Sequence, residues 1–186
     1  MMNGKFCKLL AILVLAFSGP LAAEEYAQAV QQGIELLAEG DVVAAMQEFR
    51  PAAEAGYAPA QVQLAFMLDK SEENDDARAW YQKAADQGDV NGQFGLAEMY
   101  GTGEGGEQSY EQAYFWFQKS AEGGYVPAMR LLAVNLLEGG LGVEADPDQA
   151  YSWLRKAAES GDEWASGELE NWESKQADES EDNPQQ

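Results

Sequence analysis

The chain has 186 residues, with 33 acids against 11 bases, one cysteine and no histidine, for a net charge of −22 at pH 7. The missing imidazole removes the commonest general base and metal ligand, every triad built on it, and zinc sites of Cys/His type. So acidic a surface suits neither nucleic acid nor anionic membranes, and neither is expected as a partner.

At the N-terminus Lys5 and Lys8 precede a wholly apolar run from Leu9 to Phe17, and Ser18-Gly19-Pro20 breaks that run ahead of Leu21-Ala22-Ala23. This order predicts a secretory signal peptide over residues 1–23, cut after Ala23. The apolar run is about half of what a bilayer crossing needs, so no stable membrane insertion is expected after cleavage. Cys7 stands before the run, which argues against lipid modification, and its removal leaves an exported chain without any thiol. All the acids lie beyond residue 23, so the mature protein carries 33 acids against nine bases, a net charge of −24. That charge favours basic partners, and it equally serves solubility or a salty habitat.

Beyond residue 23 the chain repeats itself. AMQEFRPAAEAG, ARAWYQKAADQG, AYFWFQKSAEGG and AYSWLRKAAESG end at Gly56, Gly88, Gly124 and Gly161, which stand 32, 36 and 37 residues apart. Before each glycine a small residue (Ala45, Ala77, Ala113, Ala150) and then a bulky one (Phe49, Tyr81, Phe117, Leu154) recur at helical spacing. After each, small residues (Ala60, Gly92, Ala128, Ala165) and leucines (Leu64, Leu96, Leu132, Leu169) mark a second helix. The glycines read as helix stops in the left-handed conformation, and Asp41, Asp89, Ser109 with Gln112, Asp146 before Pro147, and Asp162 read as helix starts. The units expected are 24–56, 57–88, 89–124 and 125–161, then a capping helix over 162–175 with Trp164, Leu169 and Trp172, and a disordered acidic tail over 176–186. The fold class predicted is all-α: an α-solenoid of antiparallel helix pairs in which each unit buries its apolar face on its neighbours.

LAEMYGTGEG, a small-residue helix with a tryptophan, and KSAEGG together are similar to Sel1-like repeats, relatives of the tetratricopeptide class. The resemblance covers roughly residues 57 to 161 and is tightest from Leu132 to Gly161, where GG-LG-V, Asp146, Ala150, Trp153 and Ala157-Ala158 keep their order. Residues 24–56 resemble the tetratricopeptide form, and the short acidic turn DKSEENDD leans the same way. The family's cysteine-rich branch, linked in some members to β-lactam binding, depends on cysteine pairs that this chain lacks.

For chemistry the sequence offers little. Glu72, Glu73, Asp75 and Asp76 lack the ordered spacing of a calcium loop and suit the positive end of a helix dipole instead. The glycines Gly101, Gly103, Gly105 and Gly106 follow no strand and precede no lysine at phosphate-loop spacing, so turn geometry explains them. Paired carboxylates abound, but no segment predicts the closed pocket that glycoside hydrolysis requires. No catalytic residue, metal or cofactor is expected.

What the resemblance implies is a scaffold or adaptor for protein partners, set in the periplasm or cell envelope, where exported members of the family often regulate envelope assembly, cell-wall enzymes or sensors. Its groove would be lined by the first helix of each pair. The positions that correspond are Val30 and Ile34, Val62 and Phe66, Phe94 and Glu98, Arg130 and Val134, and Trp164; several of these side chains would serve equally well as core. The alternative is a protein that binds or cleaves cell-wall glycan through carboxylates and the recurring Trp80, Trp116 and Trp153.

Overall fold

The computed structural model describes residues 20–182. The basic and apolar parts of the expected signal peptide, residues 1–19, lie outside the described residues, as do residues 183–186 of the expected tail. Nine α-helices and no strand are found among the described residues: α1 (Pro20–Glu39), α2 (Val42–Glu54), α3 (Ala58–Lys70), α4 (Asn74–Asp86), α5 (Val90–Thr102), α6 (Tyr110–Glu122), α7 (Val126–Glu138), α8 (Pro147–Glu159) and α9 (Glu163–Asp182). Consecutive helices pack on one another along the whole chain, and α3 also touches both α1 and α5. The result is a solenoid of four helix pairs closed by α9.

Local chemistry explains the boundaries. Asp41, Asp89, Ser109, Asp146 and Asp162 each accept a hydrogen bond from a backbone N–H in the first turn that follows, at 2.8–3.3 Å. Only half of the capping box at Ser109 forms: the backbone N–H of Ser109 donates to the Tyr100 carbonyl at 2.8 Å, not to Gln112. Gly56, Gly88, Gly124 and Gly161 all adopt φ between 85° and 97°. In that left-handed conformation they end α2, α4, α6 and α8 without the backbone strain that a residue bearing a Cβ meets at positive φ. In the short α3–α4 turn no glycine is available, and Glu72 itself takes φ 63°.

The outer helices run past the expected unit bounds. α1 begins at Pro20, ahead of the expected cut after Ala23, and the fixed φ of proline suits the first helical position. At the other end the backbone stays helical to Asp182, past the boundary at 175. No glycine or proline interrupts the chain there until Pro184, so the helix propagates through polar residues that composition alone assigns to disorder.

The core consists of two apolar clusters in series. One gathers residues from Ala45 to Met99, the other residues from Ala97 to Ala165, so α5 contributes to both. The repeating leucines Leu64, Leu96 and Leu132 are fully buried, each stabilising its unit by about 1.5–3 kcal/mol. Alanines at the crossing points let helices approach, and α5 goes one step further. A Cβ on Gly92 would lie 2.6 Å from that of Ala84 and 3.0 Å from the Ala85 nitrogen, so α5 sits closer on α4 than a side chain permits.

Candidate partner-binding groove

The close seating of α5 has a consequence on the face formed by the first helices. Gly95, one turn beyond Gly92, leaves the Tyr81 ring of α4 room that a Cβ, 2.5 Å from it, would take away. Between α3 and α5 this opens a hollow of about 500 Å³. Pro59, Val62 and Phe66 of α3 form one wall, Phe94 and Glu98 of α5 the other, and Tyr81 lies at the base. Tyr125, just ahead of α7, closes one end, with its ring 5.2 Å from that of Phe94 in an edge-on contact. Phe94 is further fixed by an edge contact with Phe117, again at 5.2 Å. Phe66 is 45% exposed, an unusual amount for an aromatic side chain flanking a core.

The lining includes two acids and no base. Asp89 is committed to capping α5, where it accepts from the Asn91 and Gly92 N–H groups. Glu98 has no such engagement and takes part in none of the ion pairs among the described residues. Partial burial, with Asp69 and then Glu104 adding repulsion that Lys70 only partly relieves, raises its pKa above the ordinary 4.5. Burial first, and then Asp69 and Glu98, also push the Tyr81 phenol well up, so it remains a neutral donor.

The sign of this shift gives a test. The folded state holds the Glu98 proton more tightly than the unfolded chain, so ionisation costs stability as pH rises past the ordinary carboxylate range. Glu98→Gln is therefore expected to raise the melting temperature at pH 7 by about 1–2 °C, the scale of a surface substitution in a chain of this size. The gain should vanish near pH 4. Thermal melts across that range check it, and a gain that persisted in acid would contradict the assigned cause.

The Sel1 repeat family model matches residues 58–89, 90–125 and 126–162, more than half of the chain and three successive helix pairs. The chain belongs to the Sel1 repeat family. Among solved structures it is similar to a Sel1 repeat protein from Oxalobacter formigenes, at 28% identity and a TM-score of 0.65 over 73% of this chain. It is also similar to a protective antigen present in uropathogenic Escherichia coli strains displaying an SLR fold, at 31% identity and 0.67 over 78%. The matches span 58% and 32% of the length of those two proteins, respectively. A comparison with curated proteins found no match.

Within this Sel1 frame the nine expected groove residues separate. Val62, Phe66, Phe94 and Glu98 come together in the hollow. Val30 packs half-buried on the first cluster, Ile34 is 41% exposed away from the hollow, and Val134 is half-buried on α7. Arg130 does not stand free to fix a partner's register: its guanidinium lies 3.4 Å from Asp162 and 4.9 Å from the Trp164 ring centroid. The α7–α9 end of the face is thus occupied by the chain's own side chains.

Tyr81 and Tyr125 also line the hollow, unforeseen from the sequence. A signal for Tyr125 exists, since the residue after each closing glycine is alternately Tyr57, Asp89, Tyr125 and Asp162. The aspartates cap; the tyrosines make no side-chain cap and are free to project their rings. Two of the three recurring tryptophans are poor sugar platforms. Trp153 is buried, and lysine ammonium groups cover Trp80 and Trp153, with Lys83 and Lys156 at 3.5 and 4.1 Å from the ring centroids. No group of three or more potential ligands is placed to hold a metal ion among the described residues, and none of these helices is long and apolar enough to cross a membrane.

Proposed function

We propose that the chain is an exported adaptor of the periplasm or cell envelope, without catalysis of its own, whose α3–α5 hollow seats a segment of a protein partner. Sel1 repeats generally mediate protein–protein interactions, and the observation that carries the reading here is the exposed apolar surface of Phe66 beside Phe94, in a depression that also presents polar groups for orientation. Export is supported by the order of basic, apolar and small residues over 1–23. The covered tryptophans weigh against the glycan reading.

The test is affinity capture from native envelope with the mature protein and a Phe66→Ala/Phe94→Ala variant whose circular dichroism matches the parent. Anchors of this kind contribute on the order of 2 kcal/mol or more each, so partner retained by the parent should fall at least about tenfold on the variant. Equal retention of every envelope protein by both would discard the groove. The same preparation reads export: chain recovered from the periplasm should begin at Glu24.

A further inference from the structure

We propose that the occupant of the hollow is a peptide segment that places an aliphatic or aromatic side chain against Phe66 and Phe94 and a lysine or arginine against Glu98. This rests on the groove reading and adds the partner's chemistry. Three observations carry it. The lining holds carboxylates and no base, and the Lys70 ammonium at its margin, 5.3 Å from the Phe66 ring centroid, is paired with Asp69. Asp89 is spent on its helix cap and Asp69 is paired with Lys70 at 3.5 Å, which leaves Glu98 as the carboxylate without a partner beside the apolar walls. The third is a precedent inside the same molecule. On α7, Arg130 occupies the position that Phe94 holds on α5, and there an aromatic ring and a carboxylate, Trp164 and Asp162, receive the chain's own guanidinium. In the hollow Lys70 lies over the Phe66 ring, while among the described residues neither the Phe94 ring nor the Glu98 carboxylate is paired with a cation of the chain. A cation between Glu98 and the ring of Phe94 would gain both the ion pair and the attraction of the ring face. The chain's surplus of acids would speed the approach of such a segment.

The experiment is selection of displayed random dodecapeptides on immobilised mature protein, followed by anisotropy measurements with the enriched peptides on the parent, Phe66→Ala/Phe94→Ala, Glu98→Gln and Glu98→Lys. The expected winners pair an apolar side chain with Lys or Arg at a recurring spacing. Their affinity should fall about five- to tenfold on Glu98→Gln and further on Glu98→Lys, with the loss on Glu98→Gln shrinking at high salt. Peptides lost on the phenylalanine variant but indifferent to both Glu98 variants, or winners that are neutral or acidic, overturn the cationic inference and leave the groove standing. Peptides that bind all four proteins alike, or no enriched peptide at all, overturn the groove reading and the inference with it. Concentration-dependent self-association abolished by Phe66→Ala would make a second copy the occupant and overturn the proposal as well.

Discussion

Leu96→Ala is expected to lower the unfolding free energy by about 2–5 kcal/mol, the usual range for truncating a fully buried leucine, and to split a single unfolding transition in two. Leu96 is fully buried in the first apolar cluster and its neighbour Ala97 belongs to the second, so the two clusters meet in α5, with Tyr100 and Trp116 packed against both. In a stack held by nearest-neighbour contacts, weakening the junction uncouples its halves before it melts either one. Of the five tryptophans, Trp153, Trp164 and Trp172 lie on the C-terminal side of that junction, Trp116 packs on both clusters, and Trp80 alone lies on the other side. Tryptophan fluorescence should therefore follow the C-terminal half, while far-ultraviolet circular dichroism follows both. In the variant the two probes are expected to separate, with the first transition about 5–15 °C below the parent's. Coincident transitions would show that α5 is not the junction.

How much of this architecture could be read from the residues depends on how far apart the interacting groups lie in the chain. Asp41, Asp89, Asp146 and Asp162 bond N–H groups two or three residues away, and the closing glycines bend the chain at their own φ; such signals are local. The burial of Leu64, Leu96 and Leu132 is one step less local, and the repeat made it legible because each unit states the same offset again. The hollow is different. It exists because Gly92 and Gly95 let α5 settle on α4, and Gly92 replaces an alanine present in the other units, a departure from the repeat and not an instance of it. Arg130 shows the same limit from the opposite side. Its position in the repeat is a groove position, yet Asp162 lies across the next helix boundary, and only the packed structure brings the two within 3.4 Å. Four of the proposed groove residues meet in one place, therefore, while the other five are set by neighbours that differ from unit to unit. The extent of α9 has a third origin. Polar composition speaks to the absence of a core, whereas a helix already started needs only the absence of a breaker to continue.

Ending the chain at Gly161 should be the other large perturbation, and its character should differ from that of Leu96→Ala. It removes fully buried Ala165, the half-buried Trp164 and Leu169 that pack on the second cluster, and Trp172, whose ring lies 6.2 Å from that of Tyr151. The hydrogen bond from Tyr151 to Glu173 is lost as well, and Arg130 loses both Asp162 and the Trp164 ring. Partial burial of three large apolar side chains is worth roughly 3–5 kcal/mol, so the melting temperature should fall by about 10 °C. The newly bared flank of α8, which includes Tyr151, should make the shortened protein associate, as an uncapped solenoid does; sedimentation velocity would reveal it. The loss is at an end and not at a junction, so the remaining helices should still unfold in one step, with no separation of probes. The hollow is assembled from α3, α4, α5 and the residue ahead of α7, so a peptide selected on the intact protein should keep its affinity for the shortened one wherever that chain is folded. If affinity fell in step with the cap, the binding surface would extend to α9. The chain's own Arg130, Asp162 and Trp164 would then be part of the site, not its occupied end.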